Sequence, residues 1–218
     1  MGRCLPAPGI DPAEIRSFIT TRLALTPLGL YPEISLYRAM PSSGLTGWLA
    51  KNGLEDAAPY WAYAWAGGAV LALYLRDNPD VVRGRSVLDL GAGSGLVGIA
   101  AAKAGAAKVW AAEADPLGRV ALMLNAEANG AALELCSADD LPKADIVLAG
   151  DVFYDAGVAA HMLPLLQGLA EAGSRVLVGD PFRRDLPQAA LALLASYSVP
   201  DMGGGPEVNA GVFTLNDG

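Results

Sequence analysis

A single histidine, His161, and two cysteines, Cys4 and Cys136, among 218 residues leave little from which to assemble a metal centre or a disulfide framework. The cysteines lie far apart and form no CxxC pair, which suits a reducing, cytoplasmic setting. Basic residues are also scarce. Against 23 Asp+Glu stand 15 Lys+Arg, a formal charge of −8, so neither nucleic acid nor an anionic membrane surface is an expected partner. No secretory signal is visible, because Pro6, Pro8, Asp11 and Glu14 interrupt the N-terminus before an apolar run can begin. The one long uncharged stretch, Ala57 to Leu75, is broken by Pro59, Gly67 and Gly68 and reads as a buried or site-lining helix, not a membrane span. What the chain has in quantity is apolar: 53% of residues are hydrophobic and 17% charged, which suffices for one packed core at this length.

Asp11-Pro12-Ala13-Glu14 supplies an N-cap, a proline at the first helical position and a capping-box glutamate, and Ile15, Phe18, Ile19 and Leu23 follow at helical spacing. A helix is expected there, ending before Pro27. Residues 27 to 60 carry Pro27, Pro32, Pro41, Pro59 and the SSGLTG segment, and read as an irregular stretch with short elements and no second core. From about Ala66 the pattern turns periodic. A helix to Asp77 leads to SVLDL, a glycine-rich turn and helix, KVWAA, a helix from Asp115-Pro116 to Asn129-Gly130, LELC and DIVLAG. A helix, RVLVG, another helix and two strand-like runs joined by a loop at Met202 to Pro206 complete the chain. Short apolar runs alternating with helical segments are what a mostly parallel sheet covered on both faces requires. The expected organisation is an N-terminal extension, residues 1–60, packed on an α/β domain spanning 61–218.

The strongest local signal is Val87-Leu88-Asp89-Leu90-Gly91-Ala92-Gly93-Ser94-Gly95, a buried strand running into a turn that opens a helix. Glycines there allow positive φ and the close approach of a ligand, as in a nucleotide cradle. Gly93 to Gly98 spells GxGxxG, and Glu113 falls twenty residues after Gly93, as a dinucleotide fingerprint would have it. The register opposes that reading. The glycine that directly follows the strand is Gly91, and counting from it the third position becomes Leu96. Asp89, at the end of the strand, would repel a pyrophosphate but attract a cationic ligand, which points to S-adenosylmethionine with its sulfonium and ammonium charges.

DLGAGSG resembles the first motif of class I methyltransferases. The resemblance implies a Rossmann-like fold with an open seven-stranded, mostly parallel sheet, helices on both faces and an antiparallel last strand. It also implies that Asp89, Gly91, Ala92, Gly93 and Gly95 surround the methionine half of the cofactor. Glu113, followed by Ala114 in WAAEADP, matches the acidic residue that takes both ribose hydroxyls, since one carboxylate can accept two hydrogen bonds from a cis-diol. Asp139 in CSADDL matches a position that contacts the adenine amino group. Both carboxylates could instead be solvated strand-end residues.

DIVLAG runs into Asp151-Val152-Phe153-Tyr154-Asp155, at the carboxyl edge where open α/β sheets place their chemistry. Enzymes that methylate planar nitrogens carry two prolines between the outer acidic or amide residue and the aromatic. Both prolines are missing here, which favours an sp³ amine. GDVFYD, together with PYWAYAWAGG, PEISLYRAMPSSGL and GDPFRRDLP, resembles the lysine methyltransferases that act on the electron transfer flavoprotein β subunit, from about Thr26 to Pro187. That resemblance implies Asp151 and Tyr154 at the acceptor site, with Asp151 also against the cofactor, and Trp61, Trp65 and Gly68 lining the cofactor pocket. A lysine must lose its proton to attack. A sulfonium about 4 Å away at an effective dielectric near 20 disfavours the ammonium by about 4 kcal/mol, nearly three pK units. Asp151 opposes that shift and is therefore expected to orient the amine or relay its proton. Other readings stay open: a helix cap at Asp151, packing roles for Trp61 and Trp65, and a surface role for His161. At the level of activity, the rivals are methylation of a nicotinamide-like amine, a ribosomal-protein methyltransferase, and a binding module without chemistry.

Overall fold

The computed structural model describes residues 9–216; Cys4, Pro6 and Pro8 lie outside the described residues. Helix α1 (Pro12–Arg22) begins where its signal predicts, with the Asp11 carboxylate accepting the N–H of Ala13 and Ile15, Phe18 and Ile19 turned inward. The region read as irregular is instead a hairpin of β1 (Ala24–Leu28) and β2 (Tyr31–Arg38), followed by α2 (Leu45–Lys51). Pro27 is tolerated in β1 because it opposes Ser35, whose own N–H and C=O face outward to Asn129. At such a non-hydrogen-bonded position no ladder donor is lost. The hairpin contributes Leu28, Tyr31, Ile34 and Leu36 to the main core.

Beyond a 3₁₀ turn at Tyr60–Ala62, α3 (Ala66–Asp77) precedes β3 (Ser86–Leu90), α4 (Leu96–Lys103), β4 (Lys108–Ala112), α5 (Pro116–Ala128) and β5 (Glu134–Cys136). Next come β6 (Ile146–Gly150), α6 (Ala156–Glu171), β7 (Arg175–Asp180), β8 (Leu191–Pro200) and β9 (Glu207–Leu215). The last seven strands form one sheet in the order β5-β4-β3-β6-β7-β9-β8, with β9 antiparallel to both neighbours and the other strands parallel. Successive crossovers through α4 and α5 move along the sheet in one direction, and the crossover through α6 moves in the other. Right-handed connections therefore put α4 and α5 on one face and α6 on the opposite one. The reversal falls between β3 and β6, and that is where a crevice opens.

Alternation along β3 separates the two faces. Val87 and the other inward residues of that set pack with α3 and α4, while Leu88 and Leu90 pack with Phe153 and Leu166 on the α6 side. A third cluster joins Ile15, Phe18 and Ile19 of α1 to Trp61 and to Leu117, Ala121 and Leu124 of α5.

One expected element is absent. After β7 the chain makes a single 3₁₀ turn at Gln188–Ala190 and enters β8 at Leu191, where a further helix was expected. LALLA has helix-forming composition, but β9 offers a full-length antiparallel partner, from Leu191↔Leu215 to Pro200↔Glu207, and pairing overrides the local preference. The uncharged stretch at 57–75 resolves into the 3₁₀ turn and α3, and among the described residues no helix is long and apolar enough to cross a membrane.

Candidate active site

A cavity of about 560 Å³ opens over the carboxyl ends of β3, β4 and β6, roofed by the aromatic segment before α3. Its floor is the turn after β3, in which Gly91, Gly93 and Gly95 have φ of 72°, 52° and 78°, the left-handed region that penalises side chains. The turn is fixed from two sides. The N–H groups of Gly91 and Ala92 both donate to the Ala112 carbonyl at the end of β4, and the Ser94 carbonyl accepts from Asn125 Nδ2 at 2.8 Å. Asn125, fully buried in α5, also accepts the Tyr37 N–H through its Oδ1, so the hairpin and the glycine turn share one anchor.

Four carboxylates line the cavity. Asp89 is almost fully buried and accepts the Gly98 N–H at 2.8 Å; burial, against that bond, pushes its carboxyl up to about 7. Glu113 accepts the Gly93 N–H (2.6 Å) through one oxygen and the Asp115 N–H (2.8 Å) through the other, and burial raises it too. Each of its oxygens keeps a lone pair for a further donor. Asp115 caps α5 through the Leu117 N–H and is likewise raised by burial. Asp151, immediately after β6, has φ 59°. Its Oδ2 accepts the Gly68 N–H at 2.8 Å and its Oδ1 is paired with the guanidinium of Arg183. Burial pushes the Asp151 carboxyl up while the Arg183 charge pulls it down.

The Gly68 bond exists because three glycines, Gly67, Gly150 and Gly179, let the first turn of α3 lie on the ends of β6 and β7. A Cβ on Gly67 would meet Asp151 N and Oδ2 at 2.7 Å and the Gly179 carbonyl closer still, and a Cβ on Gly150 would meet the Gly68 backbone at 3.0 Å. Around the mouth stand Tyr60, Trp65 and Tyr154. The Tyr60 ring lies 5.1 Å from Tyr154 and 5.9 Å from Trp65, and Trp65 donates to the Tyr60 carbonyl.

The structure thus brings Asp89, Gly91, Ala92, Gly93, Glu113, Ala114, Asp151, Tyr154, Trp61, Trp65 and Gly68 to one cavity, with Gly95 just beyond it as the N-cap of α4. Asp139 is not among them. It lies exposed in the short Ser137–Asp140 turn after the three-residue β5. Asp151 does not cap α6 either, since Asp155 does so through the N–H groups of Gly157 and Val158. His161, on α6, is exposed and bonded to the Gly157 carbonyl, away from the cavity. Sequence reasoning missed Asp115, Asn125, Tyr60 and Arg183. The last stood in view within GDPFRRDLP, but only folding reveals that it reaches Asp151.

The cavity suits a cationic nucleoside. Its four carboxylates face a single positively charged side chain among the described residues, and that one is already paired. A pyrophosphate would find no free cation there, whereas a sulfonium and an ammonium would be attracted. The vacant lone pairs of Glu113 fit a ribose diol.

Comparison with known proteins extends this. The family profile described as ribosomal protein L11 methyltransferase (PrmA) matches residues 70–177. The electron transfer flavoprotein beta subunit lysine methyltransferase of Rattus norvegicus is 37% identical over 199 residues, covering 86% of this chain and 78% of that protein. The proteins of the same name from Homo sapiens (39%; 80% and 68% covered) and Danio rerio (40%; 86% and 77% covered) match similarly. The ribosomal protein L11 methyltransferase of Aeromonas hydrophila is 37% identical, but over 54% of this chain and 41% of its own length. Among solved structures, a precorrin-6y C5,15-methyltransferase from Geobacter metallireducens shares the fold, with a TM-score of 0.50 at 18% identity over 69% of this chain and 87% of that one.

Proposed function

Because this chain belongs to the electron transfer flavoprotein beta subunit lysine methyltransferase family, and is an S-adenosylmethionine-dependent methyltransferase, we propose that it methylates lysine of the electron transfer flavoprotein β subunit. One observation carries the reading at the level of the site. At the cavity edge, Asp151 is held by backbone and side-chain partners on both oxygens, between the cofactor cradle and an aromatic mouth. A carboxylate so fixed can accept a hydrogen bond from an amine without reorganising, which is how orientation lowers a barrier.

The bound cofactor supplies an electrophilic methyl group and a positive charge that favours the neutral amine. The protein supplies the rest. Glu113, fixed by the Gly93 N–H, holds the nucleoside end, and Asp89 and the glycine turn face the methionine end. Asp151 accepts from the incoming amine at Oδ1 or Oδ2 and holds its proton on the way to solvent. Tyr154, which is 45% exposed, offers a ring face to an alkylammonium and a hydroxyl to the amine. The net charge of −8 suits an approach by a lysine-bearing segment.

The test uses labelled methyl donor with purified flavoprotein β subunit, with ribosomal protein L11 and nicotinamide as competing acceptors. Label in a lysine of the β subunit is expected. Asp151→Asn is expected to lower transfer by about 10²-fold or more while S-adenosylhomocysteine affinity stays within about threefold. Label confined to another acceptor refutes the substrate, and retained transfer removes Asp151 from the reaction.

A further inference from the structure

Arg183 has no part in the reaction as described, yet it is the residue around which the acidic edge of the cavity is built. We propose that Arg183 is a positioning residue, pinning the Asp151 carboxylate toward the acceptor by filling the hollow between Asp151 and Asp180; this rests on the reading of Asp151 given above.

The loop after β7 is shaped to deliver this side chain. Asp180 Oδ1 accepts the backbone N–H of Arg183 at 2.7 Å, closing a turn in which Phe182 has φ 59°. The Phe182 ring packs edge-on against Phe213 of β9 at 5.4 Å, fixing the loop to the sheet. Arg183 Nη1 then reaches Asp151 Oδ1 and lies 3.7 Å from Asp180 Oδ2. Asp180 is fully buried, and among the described residues its Oδ2 has no hydrogen-bond partner. One guanidinium therefore serves two carboxylates, Asp180 fully buried and Asp151 largely so. Two non-glycine residues at positive φ, Asp151 and Phe182, flank this contact, the kind of backbone cost that persists where the surrounding contacts demand one arrangement.

The groups facing Asp151 are few. The end of β7 and its loop supply Asp180 and Arg183, and the turn between β8 and β9 supplies Asp201, which is bonded to the N–H groups of Ala66 and Met202. From α3 comes the Gly68 N–H. Arg183 is the only cation in this set, and Asp180 and Asp201 are its anionic members. Without it, burial and the charge of Asp201 both act to protonate Asp151, and only the Gly68 N–H bond opposes them. Lysine at 183 would keep the charge but lose the planar fork that spans two carboxylates.

The experiment compares wild type with Arg183→Gln, Arg183→Lys and Asp151→Asn. It follows kcat against pH with the acceptor identified above, S-adenosylhomocysteine affinity, and a ¹³C NMR titration of the aspartate carboxyl carbons. For Arg183→Gln, affinity within about threefold of wild type and kcat down about tenfold or more are expected. The acidic limb of the kcat profile and the Asp151 titration should move together to higher pH by about one unit or more. Arg183→Lys should fall between the two. If Arg183→Gln does not fold, Asp180→Asn/Arg183→Gln, which removes the uncompensated buried charge, carries the same measurements. An unmoved Asp151 titration and limb in a folded Arg183→Gln protein overturn the proposal. An active Asp151→Asn overturns the reading beneath it, whatever Arg183 does.

Discussion

Two adjacent glycines should respond to the same substitution in opposite ways. A methyl on Gly67 would sit 2.7 Å from both N and Oδ2 of Asp151 and closer still to the Gly179 carbonyl, where ordinary contact begins at 3.4 Å, so the first turn of α3 must retreat by roughly 1 Å. That retreat carries the Gly68 N–H from 2.8 Å beyond hydrogen-bonding range of Asp151. Overpacking of this kind costs about 1–3 kcal/mol, and loss of a bond to a buried charged group adds about 1.5–3 kcal/mol. A methyl on Gly68 meets only Val97 and Leu96 side chains, at 3.6 and 3.8 Å, and gains the helical advantage of alanine over glycine, about 0.5–1 kcal/mol. Urea unfolding at fixed pH measures both. Gly67→Ala should lower the midpoint by about 1 M or more, and Gly68→Ala should leave it level or raise it slightly. Equal midpoints for the two variants would refute the packing of α3 against β6 and β7 described above.

The same geometry yields two further expectations. Glu113→Gln leaves one acceptor oxygen for two backbone donors, Gly93 and Asp115, and removes the charge, so S-adenosylhomocysteine should bind about 10- to 100-fold more weakly by calorimetry. Asp89 at about 7 and Asp180 at about 6 hold protons in the folded protein that the unfolded chain releases near pH 4. The folded state then binds more protons between those values, so the stability of the free protein should fall as pH rises from about 4 to 7. Each group contributes up to about 1.4 kcal/mol per pH unit. Thermal unfolding of Asp89→Asn across that range should show a shallower fall, and an unchanged slope would remove Asp89 as its source.

Much of this molecule is written locally. The strand runs SVLDL, KVWAA, LELC, DIVLAG and RVLVG, and the cap signals at Asp11 and Asp115, are patterns a few residues long, and each forms where its spacing places it. The glycine turn and the acidic strand ends at Asp89, Glu113 and Asp151 are equally local, because a parallel sheet brings every strand's carboxyl end to one edge. Pairing was not legible. LALLA is a strand because β9 lies beside it, and Pro27 sits in a strand because Ser35 turns its backbone toward Asn129. Asp139, as acidic as Glu113, falls outside the cavity, exposed in the Ser137–Asp140 turn after β5.

What the sequence alone determined is the order of elements and the chemistry available at the sheet's edge, since both follow from spacing along the chain. Only the tertiary structure decided which of those groups meet. Gly67 reaches Gly179 across 112 positions, Arg183 reaches Asp151 across 32, and Asn125 joins a hairpin to a turn. Such contacts depend on the relative placement of whole helices and strands, which no short stretch of residues encodes.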